Sequence, residues 1–478
     1  MTKIAIIGGG ISGLSLAHAL SYRSEASFDP MTVHVFEKKE RWGGNIVTEY
    51  FDGCTLDAGP DSWVARKSSV LELIRSIGLE DELIEVEPSA RRVYRVGDSP
   101  RLQPMPEGFM LGIPASWSAL WQTPLFSWKG KLRIACEPFV PSKSWERQGD
   151  ESIGDFFMRR FGEEMTYRMA APLLGGIFAG DIFKISLRAT FPQLIEAEMH
   201  AGSLVKAIRA ERKRLRSHPL SKGHGPFLSL KRGMGSLVER LVSSLEKGGV
   251  HFHLSAPIER IERCASSSGP PFRVYRAGDS PFLADRVVLA IPTHAAASLL
   301  REIYPECAQE LDTIPYTSVA TVFLAYPKDR IAHPLDAAGV LIPRESGRKV
   351  LAATWISSKW AHRAPPSTAL LRIFFGGSGR EEIVSAEDRV LVQLAREEVK
   401  YQLSIDGEPS WVRVFRFLKT SLQPPLAHLK HMEILKKEIE SEGPIHLLGG
   451  SVVSMPDCIS QAFELAYRLT AQLSRSIS

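Results

Sequence analysis

Cysteine is scarce in this chain of 478 residues: there are five, Cys54, Cys136, Cys264, Cys307 and Cys458, scattered and without a Cys-x-x-Cys pair. An odd, dispersed set argues against a disulfide framework and against a thiolate zinc site. Histidine clusters with ligand spacing are also missing; His251 and His253, two apart on a predicted strand, read as solvated side chains, and no metal is expected. No segment reads as a membrane span. The twenty residues from Phe109 to Trp128 carry no charge, but Pro114, Pro124 and several polar residues interrupt them. The basic run Lys206, Arg209, Arg212, Lys213, Arg214, Arg216 has no interleaved aromatics, so no nucleic-acid module is expected. Internal repeats are absent. The chain enters an apolar strand by residue 4, so the expectation is that no signal peptide precedes the fold and that the protein is cytoplasmic.

What is present is a large apolar core and an unusual use of glycine. Hydrophobic residues make up 44% of the chain, enough for two or three domains. Ile4-Ala5-Ile6-Ile7 is followed by Gly8-Gly9-Gly10-Ile11-Ser12-Gly13 and then by the helical pattern Leu14, Leu16, Ala17, Leu20. This spacing predicts a strand, a tight turn and a helix whose free N–H groups face a pyrophosphate: Gly8 permits the turn, Gly10 admits the phosphate and Gly13 lets helix and strand pack. A second strand, Val33 to Phe36, ends in Glu37. Its carboxylate suits a ribose 2′-OH and repels a 2′-phosphate, and Ser21 to Pro30 reads as a loop between the two units. Arg41-Trp42-Gly43-Gly44 follows at once, and Gly59-Pro60-Asp61-Ser62 closes the next unit. Two glycines after a basic residue allow the backbone to wrap the far side of a pyrophosphate, with Arg41 neutralising charge. The pair of clusters points to FAD.

Further along, the pattern predicts a strand pair from His251 to Ile261 around Ser255-Ala256-Pro257-Ile258, a buried strand from Asp285 to Ile291 and a helix from Ala295 to Leu300. Strands of a second sheet are expected at Thr317–Tyr326 and Leu370–Phe375, with an amphipathic helix at Asp388–Leu403. Breaks rich in Pro, Gly and Ser lie near 217–226, 265–281 and 343–348. The last unit is a strand from Ile445 into Gly449-Gly450, then a helix from Asp457 to Leu473 capped by Ser454 or Asp457. A helix start aimed at the flavin pyrimidine ring would stabilise negative charge there.

Taken together, Gly8 to Gly13, Glu37, Arg41 to Gly44, Gly59-Pro60-Asp61-Ser62-Trp63, Gly176-Ile177-Phe178-Ala179-Gly180-Asp181 and Pro456-Asp457-Cys458-Ile459 resemble the oxygen-dependent protoporphyrinogen oxidases. Lys129-Gly130-Lys131-Leu132-Arg133 and Glu137-Pro138-Phe139 extend the resemblance over nearly the whole chain. It implies an α/β fold, α+β overall: a Rossmann-like FAD-binding domain (1–90, 222–292 and 410–478), an interleaved mixed-sheet substrate domain (293–409) and a helical domain (91–215) with a membrane-binding role. The implied reaction is six-electron oxidation of protoporphyrinogen IX to protoporphyrin IX, with O2 as acceptor and H2O2 released, in haem biosynthesis. Hydride leaves a ring methylene, and no side chain is expected to act as dedicated acid or base.

The expected cofactor set comprises Gly8, Gly9, Gly10, Ile11, Ser12, Gly13, Glu37, Lys38, Arg41, Gly43, Gly44, Asn45, Gly59, Pro60, Asp61, Ser62, Ile258 on the adenine side, Phe417, Gly450, Val453, Ser454 and Met455. Substrate would meet Arg92, which can hold a propionate bidentately, together with Gly176 and Phe178. The partners implied are the porphyrinogen, O2, a peripheral contact at the inner face of the cell membrane, and a second copy in a homodimer. The chain departs from the family in two places. The loop Gly449 to Ser454 is about two residues short and poor in glycine, and Phe417 and Leu422-Gln423-Pro424 replace Trp and Pro-Gln-Tyr, with Gln423, Leu426 and His428 kept. Three alternatives follow: coproporphyrinogen III as substrate, which extra cations in the pocket would favour; an amine or carotenoid oxidoreductase of the same fold; and a non-catalytic flavin-binding protein.

Overall fold

The computed structural model describes residues 2–24, 31–97, 101–145, 149–217, 225–264, 271–278, 280–405 and 407–475. A five-stranded parallel sheet organises the first of its three parts. Its strands lie in the order His251–His253, Met31–Phe36, Thr2–Ile7, Arg286–Leu289 and Ile445–Leu447. Ile4, Ala5 and Ile6 are wholly buried because helices cover both faces of the central strand. On one face the helix Ile11–Ser24 packs against Gly235–Lys247 and the C-terminal helix Met455–Arg475. The other face carries the helices Thr293–Leu300, Pro305–Asp312 and His428–Glu442. Five strands drawn from four distant stretches of chain make this domain discontinuous.

The second part is a seven-stranded mixed sheet. Its order is Trp411–Leu422, Tyr316–Pro327, Thr368–Gly376, Val350–Trp355, Gly339–Leu341, Tyr94–Val96 and Leu102–Pro104. Pairing is antiparallel except between Gly339–Leu341 and Tyr94–Val96. The amphipathic helix Asp388–Leu403 covers one face, burying Leu391, Ala395 and Val399. The sheet departs from the sequence-based boundaries at both edges. Residues 94–104 lie at one edge rather than in the helical part, and Trp411–Leu422 forms the other edge rather than belonging to the flavin domain. Edge pairing is decided by long-range register, which hydrophobic periodicity does not report.

Two further differences concern 251–261 and the histidines. His251–His253 joins the parallel sheet, whereas Ile258–Arg263 belongs to a separate antiparallel sheet with Phe272–Arg276 and Phe282–Ala284. His251 is exposed, but His253 stacks on Phe36 at 4.4 Å, and its Nε2 lies 3.2 Å from His34 Nδ1. Burial, with His251, His253 and Lys3 nearby, pushes His34 down to about 4. The predicted break near 217–226 lies largely outside the described residues, as does 25–30 of the predicted 21–30 loop, whose first residues close the helix Ile11–Ser24 instead; the break near 265–281 is described in part and holds the strand Phe272–Arg276.

Helices between Trp117 and Ser217 form the third part, around Phe156, Phe157, Phe161, Met165 and Leu174. A buried ion network crosses this core. Glu137, Arg160 and Glu198 are all fully buried. Glu137 pairs with Arg160, accepts from Ser203 Oγ at 2.5 Å, and accepts from the N–H groups of Leu204 (3.0 Å) and Val205 (3.3 Å). The Glu137-Pro138-Phe139 motif is therefore a cap for the helix Leu204–Ser217, whose first N–H groups have no partner within the helix.

Candidate flavin site

The two glycine clusters meet. Gly10 and Gly43 form a parallel bridge, and Gly43 N–H donates to Gly9 O at 2.8 Å. Gly8 has φ +113°, a conformation that suits only glycine at the strand-to-helix turn. Gly13 has no room for a side chain, since a Cβ there would lie 2.0 Å from Gly8 O. Gly9 is closely packed as well: the Trp42 ring lies 2.4 Å from an added Cβ. Gly10 faces open space, with Gly44 Cα the one atom near an added Cβ, at 3.8 Å. The first turn of Ile11–Ser24 opens beside that gap, and N–H groups there lack acceptors within the helix. A dinucleotide phosphate fits such a cradle.

Glu37 is buried. Its Oε2 accepts from Gly9 N–H and its Oε1 from Lys39 N–H, both at 2.9 Å, leaving lone pairs for ribose hydroxyls. Lys38 is exposed beyond it. Ala256 N–H donates to Glu37 O at 2.9 Å, which brings the segment leading to Ile258 alongside the ribose position. Arg41 is turned toward the glycine loop itself. Its guanidinium donates to the carbonyls of Trp42 (3.3 Å), Gly44 (2.8 Å) and Ile46 (3.2 Å), so it shapes the glycine loop, and burial lowers its pKa. Asn45 is exposed, but its carbonyl oxygen lies 1.9 Å from a Cβ placed on Gly59, so Gly59 is required by that contact.

At the other end, the short loop before the last helix runs through Gly450, at φ +82°, whose carbonyl lies 2.8 Å from His428 Nε2. Val453 and Met455 pack on opposite cores, and Ser454 Oγ accepts from Asp457 N–H at 3.3 Å, capping Met455–Arg475. Ser12 lies beside Cys458, so the N-termini of the first and last helices converge. Sequence reasoning missed Lys67. Its Nζ reaches both Asp457 oxygens at 2.5 Å and Ser454 Oγ at 3.4 Å, placing a cation beside the helix start expected to face the flavin. Its sequence neighbours give no sign of this, because the partner lies 390 residues away.

The segment Gly59 to Ser62 is held from below by the seven-stranded sheet. Ser62 Oγ donates to Asp61 Oδ1 at 2.8 Å, Pro60 is half-buried between them and Gly59, and Phe417 packs in the apolar cluster beneath, with Ala58 and Phe323.

Of the residues expected to meet substrate, Gly176 presents bare backbone at the seam between helical part and sheet, with Leu341 at 3.9 Å from an added Cβ. Phe178 is half-buried: its ring packs on Phe191 at 5.6 Å against the helical core, and its carbonyl accepts from Gln423 Nε2 at 2.8 Å. The helix ends in left-handed Ala179, φ +49°, whose carbonyl accepts from Ser378 N–H at 2.8 Å. Thus the Gly-Ile-Phe-Ala-Gly-Asp motif docks a helix end onto the sheet, and the retained Gln423 is its clamp. Arg92 lies on the rim, 57% exposed, with Glu107 at 3.2 Å and Asp336 at 3.7 Å. A propionate there would compete with two carboxylates.

Residues 11–468 match the family described as flavin containing amine oxidoreductase. Among curated proteins, the coproporphyrinogen III oxidase of Bacillus subtilis is 33% identical, with 96% of each chain covered. The chloroplastic protoporphyrinogen oxidase 1 of Arabidopsis thaliana is 29% identical, covering 99% of this chain and 89% of that one. A crystal structure of a putative protoporphyrinogen oxidase from Exiguobacterium superposes with a TM-score of 0.85 at 30% identity, covering 98% of this chain and 99% of the other. The chain belongs to the flavin containing amine oxidoreductase family, and its cofactor is FAD.

Proposed function

We propose that this protein is the FAD-dependent porphyrinogen oxidase of a haem-forming route, and that coproporphyrinogen III is its substrate: one porphyrinogen and three O2 give one porphyrin and three H2O2. The seam beside Gly176 carries the reading, since it sets an open backbone surface between the helical part and the seven-stranded sheet. FAD, when bound, accepts hydride and passes the electron pair to oxygen. The chain's own residues orient the ring and exclude water, and the Lys67–Asp457 pair holds the helix start in place.

Cations on the elements around Gly176–Asp181 favour the more highly charged substrate. Arg344 Nη2 donates to Gly180 O at 3.1 Å, and Arg380 donates to Arg344 O at 3.2 Å. Arg95 pairs in register with Leu341, the residue that abuts Gly176. These make three arginines, more than two propionates require, besides Arg92, which is already paired with Glu107 and Asp336. The coproporphyrinogen oxidases named among the curated relatives point the same way. The purified enzyme is expected to show a kcat/KM at least about tenfold higher for coproporphyrinogen III than for protoporphyrinogen IX, about 1.4 kcal/mol of discrimination. The reverse preference would return the protoporphyrinogen reading.

Among the described residues no helix is long and apolar enough to cross a membrane. A peripheral contact is supported by an exposed stripe: Trp128 is 72%, Leu132 57% and Phe139 85% exposed, and Trp121 lies against Trp128 at 5.7 Å. Exposed Lys129 lies beside it, as at an interfacial surface. The protein is expected to co-sediment with anionic vesicles and a Trp128→Ser, Phe139→Ser variant to stay in the supernatant. Absence of wild-type binding would refute the contact.

A further inference from the structure

Beneath Gly59–Ser62 the protein buries more positive than negative charge. Arg372, 4% exposed, comes from the middle of the seven-stranded sheet. Its Nη2 donates to Ala58 O at 2.5 Å and Gly59 O at 2.8 Å, and its guanidinium lies 4.3 Å from the Phe374 ring centroid. Its Nε has no acceptor among the described residues. Asp61 Oδ2 accepts from Lys359 Nζ at 2.8 Å and from Trp360 Nε1 at 3.0 Å. Two cations and one anion leave one positive charge, and the adjacent pair Asp57–Arg363, 3.0 Å apart, is neutral.

Asp61 and Arg372 stay ionised at neutral pH. Burial alone would raise the Asp61 carboxyl, but Lys359 and Arg372 outweigh it and hold the group well below the usual carboxylate range. Burial lowers Arg372 to about 10, still above neutrality. Water is largely excluded here, so the surplus acts over longer range than at the surface. The chain of contacts leads to the cofactor cradle: Gly59 lies against Asn45, and Gly44, next to Asn45, lies against Gly10.

We propose that Arg372, Lys359 and Asp61 together set the reduction potential of the bound FAD. The oxidised cofactor ring is neutral, whereas uptake of a hydride, two electrons and one proton, leaves it with one negative charge. A buried cation in excess favours the second form and so raises the potential, easing removal of hydride from the porphyrinogen. The inference rests on the assignment of Gly59–Ser62 to the flavin site.

Potentiometry of the FAD-loaded protein against reference dyes tests it without substrate. Arg372→Met is expected to lower the potential and Asp61→Asn to raise it, each changing the ratio of reduced to oxidised flavin by about tenfold at a fixed poise, about 30 mV for a two-electron couple. Lys359→Met should move the potential in the same direction as Arg372→Met, and serves if that variant does not fold. Opposite signs for cation and anion removal are the signature, since a purely structural role would not produce them. Potentials unchanged, or displaced in one direction by both kinds of variant, would overturn the proposal. A Gly59→Ala apoprotein titrated with FAD separates the premise: unaltered affinity would remove the segment from the site, and the inference with it. Weakened FAD binding with unshifted potentials would overturn the inference alone.

Discussion

Gly13→Ala is expected to produce a protein that cannot hold FAD. The added methyl would lie 2.0 Å from Gly8 O and 3.2 Å from Ile6 Cγ2, and the first contact is backbone, which cannot rotate away. Relief requires the helix Ile11–Ser24 to withdraw from the strand Thr2–Ile7, carrying its N-terminal N–H groups away from the phosphate position. That helix also packs on Met455–Arg475, so the movement would separate the two helix starts that converge at Ser12 and Cys458. The loss in FAD affinity should be about 100-fold or more, about 2.7 kcal/mol. Fluorescence titration of the apoprotein measures it. Affinity equal to wild type would show that the turn is not the phosphate cradle.

Glu137→Ala is expected to unfold the helical part at a much lower temperature while leaving the flavin domain able to fold. The substitution removes an ion-pair partner from fully buried Arg160 and uncaps Leu204–Ser217 in one step. Breaking a buried pair in this way costs about 3–5 kcal/mol. Arg160 keeps Glu198 Oε1 at 3.3 Å, Val140 O at 2.9 Å and Gly202 O at 3.0 Å, but Glu198 is shared with Arg159, so these soften the loss without making it good. Calorimetry should show a separate early transition, and Glu137→Gln should fall between variant and wild type. A melting profile identical to wild type would mean that the network is not what holds these helices together.

Both variants bear on how much could be read from residues alone. Gly8, Gly13 and Glu37 were legible because their constraints are local: a turn with positive φ, a helix touching its own strand, and a carboxylate at a strand end. The helix Asp388–Leu403 and the Ser454 cap were legible for the same reason, as period and cap act within one element. Glu137 stood out only as part of a family motif, since nothing in Glu137-Pro138-Phe139 announces Arg160. Arg372 sits in the run Leu370-Leu371-Arg372-Ile373, and its acceptor Ala58 is 314 residues away. Lys67 and Asp457 are separated still further. Arg41 and Gly9 show the converse: the motif is plain in the sequence, but the contacts of Arg41 with the loop carbonyls and of Gly9 with Trp42 depend on geometry that the motif does not specify. Trp411–Leu422 read as a flavin-domain element because strand order depends on pairings far along the chain.

The reduction of bound flavin in the absence of oxygen tests the proposed chemistry most directly. FAD-loaded protein mixed anaerobically with coproporphyrinogen III should lose its visible flavin absorbance within the time of turnover, and admission of oxygen should restore that absorbance as porphyrin fluorescence accumulates. A flavin that stays oxidised with both coproporphyrinogen III and protoporphyrinogen IX, yet bleaches with an amine, would contradict a porphyrinogen oxidase and assign the site to the amine-oxidising side of the family.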